Sequence, residues 1–188
     1  MKLTSIAARR SLLVLVLLFT GIPICSINFA RADFAVTTVY LVRHAEKEKD
    51  PPNDPSLNEA GRARSKSLAR ILQKAGIKAI YTSQFLRTQQ TAQPLADASG
   101  IAAIQVPLRM DPSNPRKVSE ASLRETIEKV YQHAGGGVLI VGHSNTVPEM
   151  IKLLGGDQVP FIDESVYDDL FVVTVYEKGK AKVAHLKY

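Results

Sequence analysis

An α/β fold with a doubly wound, mostly parallel sheet, helices on both faces and a C-terminal antiparallel hairpin is what this sequence predicts. Three observations predict it. Strand-length apolar runs alternate with helical stretches in the order β-α-β-α-β-α-β-α, the pattern of a parallel sheet between two helix layers. Residues 36–42 and 138–141 are β-branched and apolar with no polar alternation, as strands covered on both faces are. Late in the chain, residues 170–176 and 182–186 read as strands joined by Lys178-Gly179-Lys180, a hairpin.

The first 32 residues stand apart. Lys2, Arg9 and Arg10 form a positive n-region, residues 12–19 an apolar h-region, and Ala30-Arg31-Ala32 a small-residue cleavage site. This is the layout of a secretory signal. A mature catalytic domain of residues 33–188, periplasmic or secreted, is the expectation. Gly21, Pro23 and Asn28 interrupt the apolar run short of the roughly 20 residues a membrane span needs, so no stable membrane anchor is expected after cleavage near Ala32. Ile24 before Cys25 fits a lipoprotein site poorly, and cleavage leaves a mature chain without cysteine, excluding thiol catalysis and disulfides there. The formal charge of +6 comes largely from this leader: without its four basic residues, 20 basic side chains face 18 acidic ones. That balance does not support a nucleic-acid footprint.

Residues 47–56 follow the first strand as a charged, proline-rich loop. Asn58 reads as the N-cap of a helix running to about Lys74, with Ala63, Leu68, Ile71 and Leu72 as its apolar positions and Gly76 closing it. Residues 77–82 form a second strand and 84–98 a second helix, which Pro94 could kink or divide. Residues 101–106 form a third strand, 107–116 a loop and 119–133 an amphipathic helix through Leu123, Ile127 and Val130. After Gly135-Gly136-Gly137 come the strand 138–141 and a short helix over 147–154. Arg62, Arg64, Lys66 and Arg70 read as a solvated helix face. His133 and His185 read as structural, and Ser83 as a loop-bonding hydroxyl.

Two segments share one layout, an apolar strand followed by histidine: one ends at His44 after Arg43, the other at His143. In a parallel sheet both strand ends lie on the edge where α/β folds bind ligands. Arg87 comes just after a third strand end, at a helix start whose polarity attracts anions. Arginine forks match phosphate through bidentate contacts.

On these pieces the chain resembles the histidine phosphatase superfamily, the phosphoglycerate-mutase-like fold, and within it the small single-domain phosphatases. The pieces are Leu41-Val42-Arg43-His44-Ala45-Glu46, then Leu57-Asn58-Glu59-Ala60-Gly61, then Ser83 with Arg87 and Thr91-Ala92, then Val141-Gly142-His143-Ser144. They fall in the family's order, with Ala45 where the family more often has glycine. The resemblance implies a metal-independent phosphatase, with no cofactor, acting on a small phosphorylated substrate or a phosphoprotein. His44 would be the nucleophile, and Arg43, Arg87 and His143 would bind the phosphoryl group. His44 must be neutral to attack; His143 would help most when protonated. The family's general acid has no clear counterpart. Asp111 is the first candidate by position, with Glu120 and Glu46 behind it, and Asp111-Pro112 reads equally as a turn signal.

Three rivals compete with this reading. Gly142-His143-Ser144-Asn145-Thr146 could be a nucleophile elbow, making a serine hydrolase of Ser144. His44, Glu46 and His143 could hold a metal ion. The set could also be a non-catalytic phosphate-binding module, for which a nucleophilic imidazole is unnecessary.

Overall fold

The computed structural model describes residues 35–188; the leader expected over residues 1–32 lies outside the described residues. Six strands form one sheet in the order β3-β2-β6-β1-β7-β8: β1 Thr37–Arg43, β2 Ile77–Thr82, β3 Ala103–Gln105, β6 Gly137–Gly142, β7 Asp169–Glu177 and β8 Lys180–Lys187. The pairs β3–β2, β2–β6 and β6–β1 are parallel. The pairs β1–β7 and β7–β8 are antiparallel. The expected mostly parallel sheet and its closing hairpin are therefore both present. β7 and β8 turn at Gly179, whose φ of 75° suits glycine.

The central strands are apolar on both faces because both faces are covered. Val39, Leu41, Val138 and Ile140 pack on one side with Leu123 and Ile127 of α3 (Glu120–Val130) and Val147 and Ile151 of α4 (Thr146–Leu153). Val42, Ile80, Leu139 and Val141 pack on the other with Leu68 and Leu72 of α1 (Glu59–Leu72) and Leu95 of α2 (Leu86–Ser99). Pro94 sits inside α2 without dividing it, and Gly100 ends that helix in the left-handed conformation. Among the described residues no helix is long and apolar enough to cross a membrane.

Two local expectations are corrected. Residues 107–116 are not all loop: β4 (Met110–Asp111) and β5 (Asn114–Val118) make a small separate hairpin. A two-residue strand facing a segment with Pro115 carries no strand periodicity to read. The buried stripe of α1 is Gly61, Ser65, Leu68, Ala69 and Leu72; Ala63 and Ile71 are exposed. Small residues line that stripe because α1 lies close against the loop after β1.

That close approach explains Gly61. Asn58 caps α1 by accepting the Gly61 N–H at 2.9 Å, and the Asn58 N–H donates to the Glu46 carbonyl at 3.1 Å. A Cβ on Gly61 would collide with that same carbonyl oxygen. Gly61→Ala is therefore expected to destabilise the protein by roughly 1–3 kcal/mol, read as a lower urea midpoint. An unchanged midpoint would show that α1 does not press on the loop carrying His44.

Candidate active site

Strand register brings the two histidines together. β1 and β6 pair with Arg43 opposite Gly142, so His44 and His143 leave adjacent strands side by side. Their ring centroids are 5.4 Å apart at 64°. β2 pairs with β6 with Thr82 opposite Val141, so Ser83 emerges next to them and Arg87 follows in the first turn of α2. His44, Arg87 and His143 thus line one pocket at this sheet edge, whereas Arg43 is not among that pocket's walls.

His44 is oriented by its own backbone neighbour. Its Nδ1 lies 2.8 Å from the Ala45 carbonyl oxygen. A carbonyl only accepts, so Nδ1 carries the proton and Nε2 keeps its lone pair. The Ala45 N–H in turn donates to Thr91 Oγ1 at 3.0 Å, and that hydroxyl donates to the Arg87 carbonyl at 2.7 Å. The turn after β1 is thereby tied to α2, and the His44 side is coupled to the Arg87 side.

Burial is the main reason the His44 imidazole is held down to about pKa 4, with Arg43 and Arg87 adding to it against the Ala45 bond. Burial likewise lowers His143 to about 3, helped by His44, Arg87 and Arg43. Both rings are neutral at pH 7. The protonated His143 expected from the sequence is not what this setting favours: burial, His44 and the two guanidiniums all disfavour a charged ring. His143 is fixed instead by Ser83, whose Oγ lies 3.1 Å from its Nε2 and 2.9 Å from Thr88 Oγ1. Its backbone N–H donates to Thr146 Oγ1 at 2.9 Å. Ser83 thus positions a site residue rather than only closing a loop.

The two arginines differ in setting. Arg43 is 1% exposed. Its guanidinium donates to the carbonyls of Asp163 at 2.9 Å and Val166 at 3.1 Å, pairs with Glu164 at 2.6 Å and lies 4.2 Å from the Tyr167 ring centroid. Arg87 lies 4.3 Å over the Phe85 ring and 3.6 Å from Asp54. Among the described residues, both Nε–H groups are buried without an acceptor, an uncommon state for buried donors. In front of the histidines opens a pocket of about 520 Å³ whose walls include His44, Arg87, His143, Lys47 and Glu164.

The family model described as "Histidine phosphatase superfamily (branch 1)" matches residues 39–112, which hold Arg43, His44 and Arg87. Over that stretch the chain is similar to the histidine phosphatase superfamily. Phosphoserine phosphatase 1 of Hydrogenobacter thermophilus is 38% identical over 71 residues, 35% of this chain and 34% of that protein. The chain thus matches about a third of that relative's length. Among solved structures, the protein histidine phosphatase SixA complexed with tungstate aligns with a TM-score of 0.62 at 20% identity, over 80% of this chain and 96% of that one. A phosphoglycerate mutase from Bacillus anthracis aligns with a TM-score of 0.63 at 16% identity, over 82% and 94%. At such identities the likeness establishes the fold.

None of the three expected proton donors faces the pocket. Asp111 points into its own hairpin, accepting from Ser113 N at 2.8 Å and Ser113 Oγ at 2.7 Å. These bonds hold its carboxyl below the usual carboxylate range; it is a turn residue. Glu120 pairs with Arg124 one helical turn on. Glu46 takes a bidentate grip from Arg64, at 2.7 to 3.0 Å, which removes it from the site. Arg64 also donates to the Tyr188 carbonyl at 3.1 Å, so it is not a merely solvated side chain.

The carboxylate that does face the pocket is Glu164, which the sequence reading missed. It pairs with Arg43 and accepts from Ser144 Oγ at 2.7 Å. That contact also disposes of the nucleophile elbow, since the hydroxyl of Ser144 is given to a carboxylate and not to an imidazole. With Glu46 turned away, the three residues of the metal reading are not gathered. Among the described residues no group of three or more His, Cys, Asp or Glu side chains is placed to hold a metal ion.

Proposed function

We propose that this protein is a phosphatase that works through a covalent phosphohistidine on His44. The observation that carries the reading is the lone pair of His44 Nε2, freed by the Nδ1–H bond to Ala45, beside His143 and two guanidiniums. Phosphate-monoester hydrolysis is among the slowest uncatalysed reactions, and catalysis has to lower its barrier by roughly 20 kcal/mol. A covalent intermediate divides that task, and fixed cations stabilise the charge on the transferring oxygens without reorganising.

In the first step His44 Nε2 attacks phosphorus and the bond to the leaving oxygen breaks. Arg43, Arg87 and His143 hold the three remaining oxygens, and the unpaired Nε–H groups of the two arginines are donors such an anion would satisfy. Glu164 is the group at hand to protonate the leaving oxygen. Its side chain is 68% exposed and lines the pocket, which puts it between solvent and the leaving oxygen. In the second step a water attacks the phosphohistidine and gives its proton to Glu164, releasing phosphate and neutral His44. Hydrolysis fits better than a mutase reaction because the chain carries no long insertion to retain a phosphosugar. The signal-like leader supports action outside the cytoplasm.

Turnover of phosphomonoesters by the purified protein in excess chelator tests this. Release of phosphate, blocked by vanadate, is the expected result; no turnover, or turnover restored only by a divalent metal, contradicts it. Glu164→Gln is expected to slow an alkyl phosphate roughly 10²–10⁴-fold, and an aryl phosphate, whose leaving group needs no proton, far less. Equal loss on both substrates would remove Glu164 from the proton-transfer role.

A further inference from the structure

The pocket in front of His44 is not uniformly polar. Its walls also include Phe85, which packs edge-on against His143 with ring centroids 5.4 Å apart, and Leu108, Met110, Val118 and Phe161. Phe161 is 62% exposed and Met110 47% exposed. Large apolar side chains so exposed around a concave site are unusual unless something covers them.

The polar side chains nearby are largely engaged already. Gln84 lines the pocket, yet it donates to the Leu108 carbonyl at 3.3 Å and accepts the Leu108 N–H at 2.9 Å. It fastens the apolar wall instead of offering hydrogen bonds to a ligand. Ser144 is given to Glu164. Beyond the phosphoryl end, the remaining polar wall side chains are Lys47, Asn145 and Glu164, the last already paired with Arg43 and Ser144. A polyhydroxylated sugar would leave most of its hydroxyls facing carbon there, which disfavours it. An apolar body would bury its own surface and that of Phe161 and Met110.

We infer that the site takes small phosphomonoesters whose leaving group is aromatic or otherwise apolar, its body lying on Phe161, Met110, Leu108 and Phe85. This rests on the phosphatase reading for the placement of the phosphoryl group. It can nevertheless be tested without turnover.

The test is calorimetric binding of two non-hydrolysable phosphonates to the purified protein, 2-phenylethylphosphonate and 2-hydroxyethylphosphonate. The phenyl compound is expected to bind roughly tenfold or more tightly. In Phe161→Ser, and separately in Met110→Ser, that ratio is expected to fall severalfold. Both side chains are exposed, so neither change threatens the fold. Equal affinities, tighter binding of the hydroxyl compound, or a ratio that survives both substitutions would overturn the inference. Preferred binding of the phenyl compound without turnover of any phosphomonoester would uphold the apolar site and reject the phosphatase reading.

Discussion

His44→Gln is expected to lower kcat for any phosphomonoester by at least roughly 10⁴-fold, because on the proposed mechanism it removes the bond-forming atom itself and not a contact to it. Glutamine fills much the same space, so the folded protein survives the change and the loss is chemical. The pH dependence should carry the same signature. His44 attacks only when neutral, and burial holds its pKa at about 4. The acid limb of kcat/KM set by His44 is therefore expected near pH 4, well below the ordinary histidine value of about 6.5. An acid limb near 6.5 would mean that His44 is solvated when it works.

The same burial makes stability pH-dependent. In the unfolded chain both rings gain a proton as pH falls through about 6.5, whereas in the folded protein they stay neutral until about 4 for His44 and about 3 for His143. Over that interval the unfolded state binds more protons, so stability is full above 6.5 and declines as pH falls through the window. The loss expected is on the order of a few kcal/mol. Urea denaturation at pH 7 and pH 4 measures it, and His44→Gln should show a smaller loss than the wild type.

Arg43→Met is the second large effect. It removes a proposed phosphoryl ligand, for which a loss of roughly 10³-fold in kcat/KM is expected. It also unfastens the segment carrying Glu164, because the Asp163 and Val166 carbonyls and the Glu164 carboxylate all lose their donor. Asp163 and Glu164 are exposed and Val166 is half-buried, so the accompanying loss of stability should stay at about 1–3 kcal/mol. Arg43→Lys is not expected to rescue activity, since one ammonium cannot reproduce a planar fork serving the Asp163 and Val166 carbonyls and Glu164 together. Full activity in Arg43→Lys would make the arginine a structural strut alone.

The parts of this protein legible in its sequence are those fixed by short-range pattern. A strand buried on both faces shows itself as an unbroken apolar run, and two such runs ending in histidine had to meet once they paired in parallel. Asn58 was readable as a cap because capping is local. Glu164 was not, because its segment has neither helical nor strand period and is tied to Arg43 by contacts 120 to 123 residues apart in sequence. Asp111 misled for the opposite reason: its position after a strand suggested the site, while its bonds to Ser113 two residues on decided its role. The same limit hid the Glu46–Arg64 pair, which joins the strand-end loop to a helix face that pattern alone assigns to water.

The central claim is that phosphorus becomes bonded to His44 during turnover. Rapid mixing with a radiolabelled substrate, quenching in denaturing alkali and mapping the labelled peptide test it most directly, since phosphohistidine survives base and is lost in acid. Label on His44 approaching one phosphoryl group per active site, and absent from His44→Gln, is the predicted result. Turnover with no labelled enzyme, or label on Ser144 or Glu164, would contradict it.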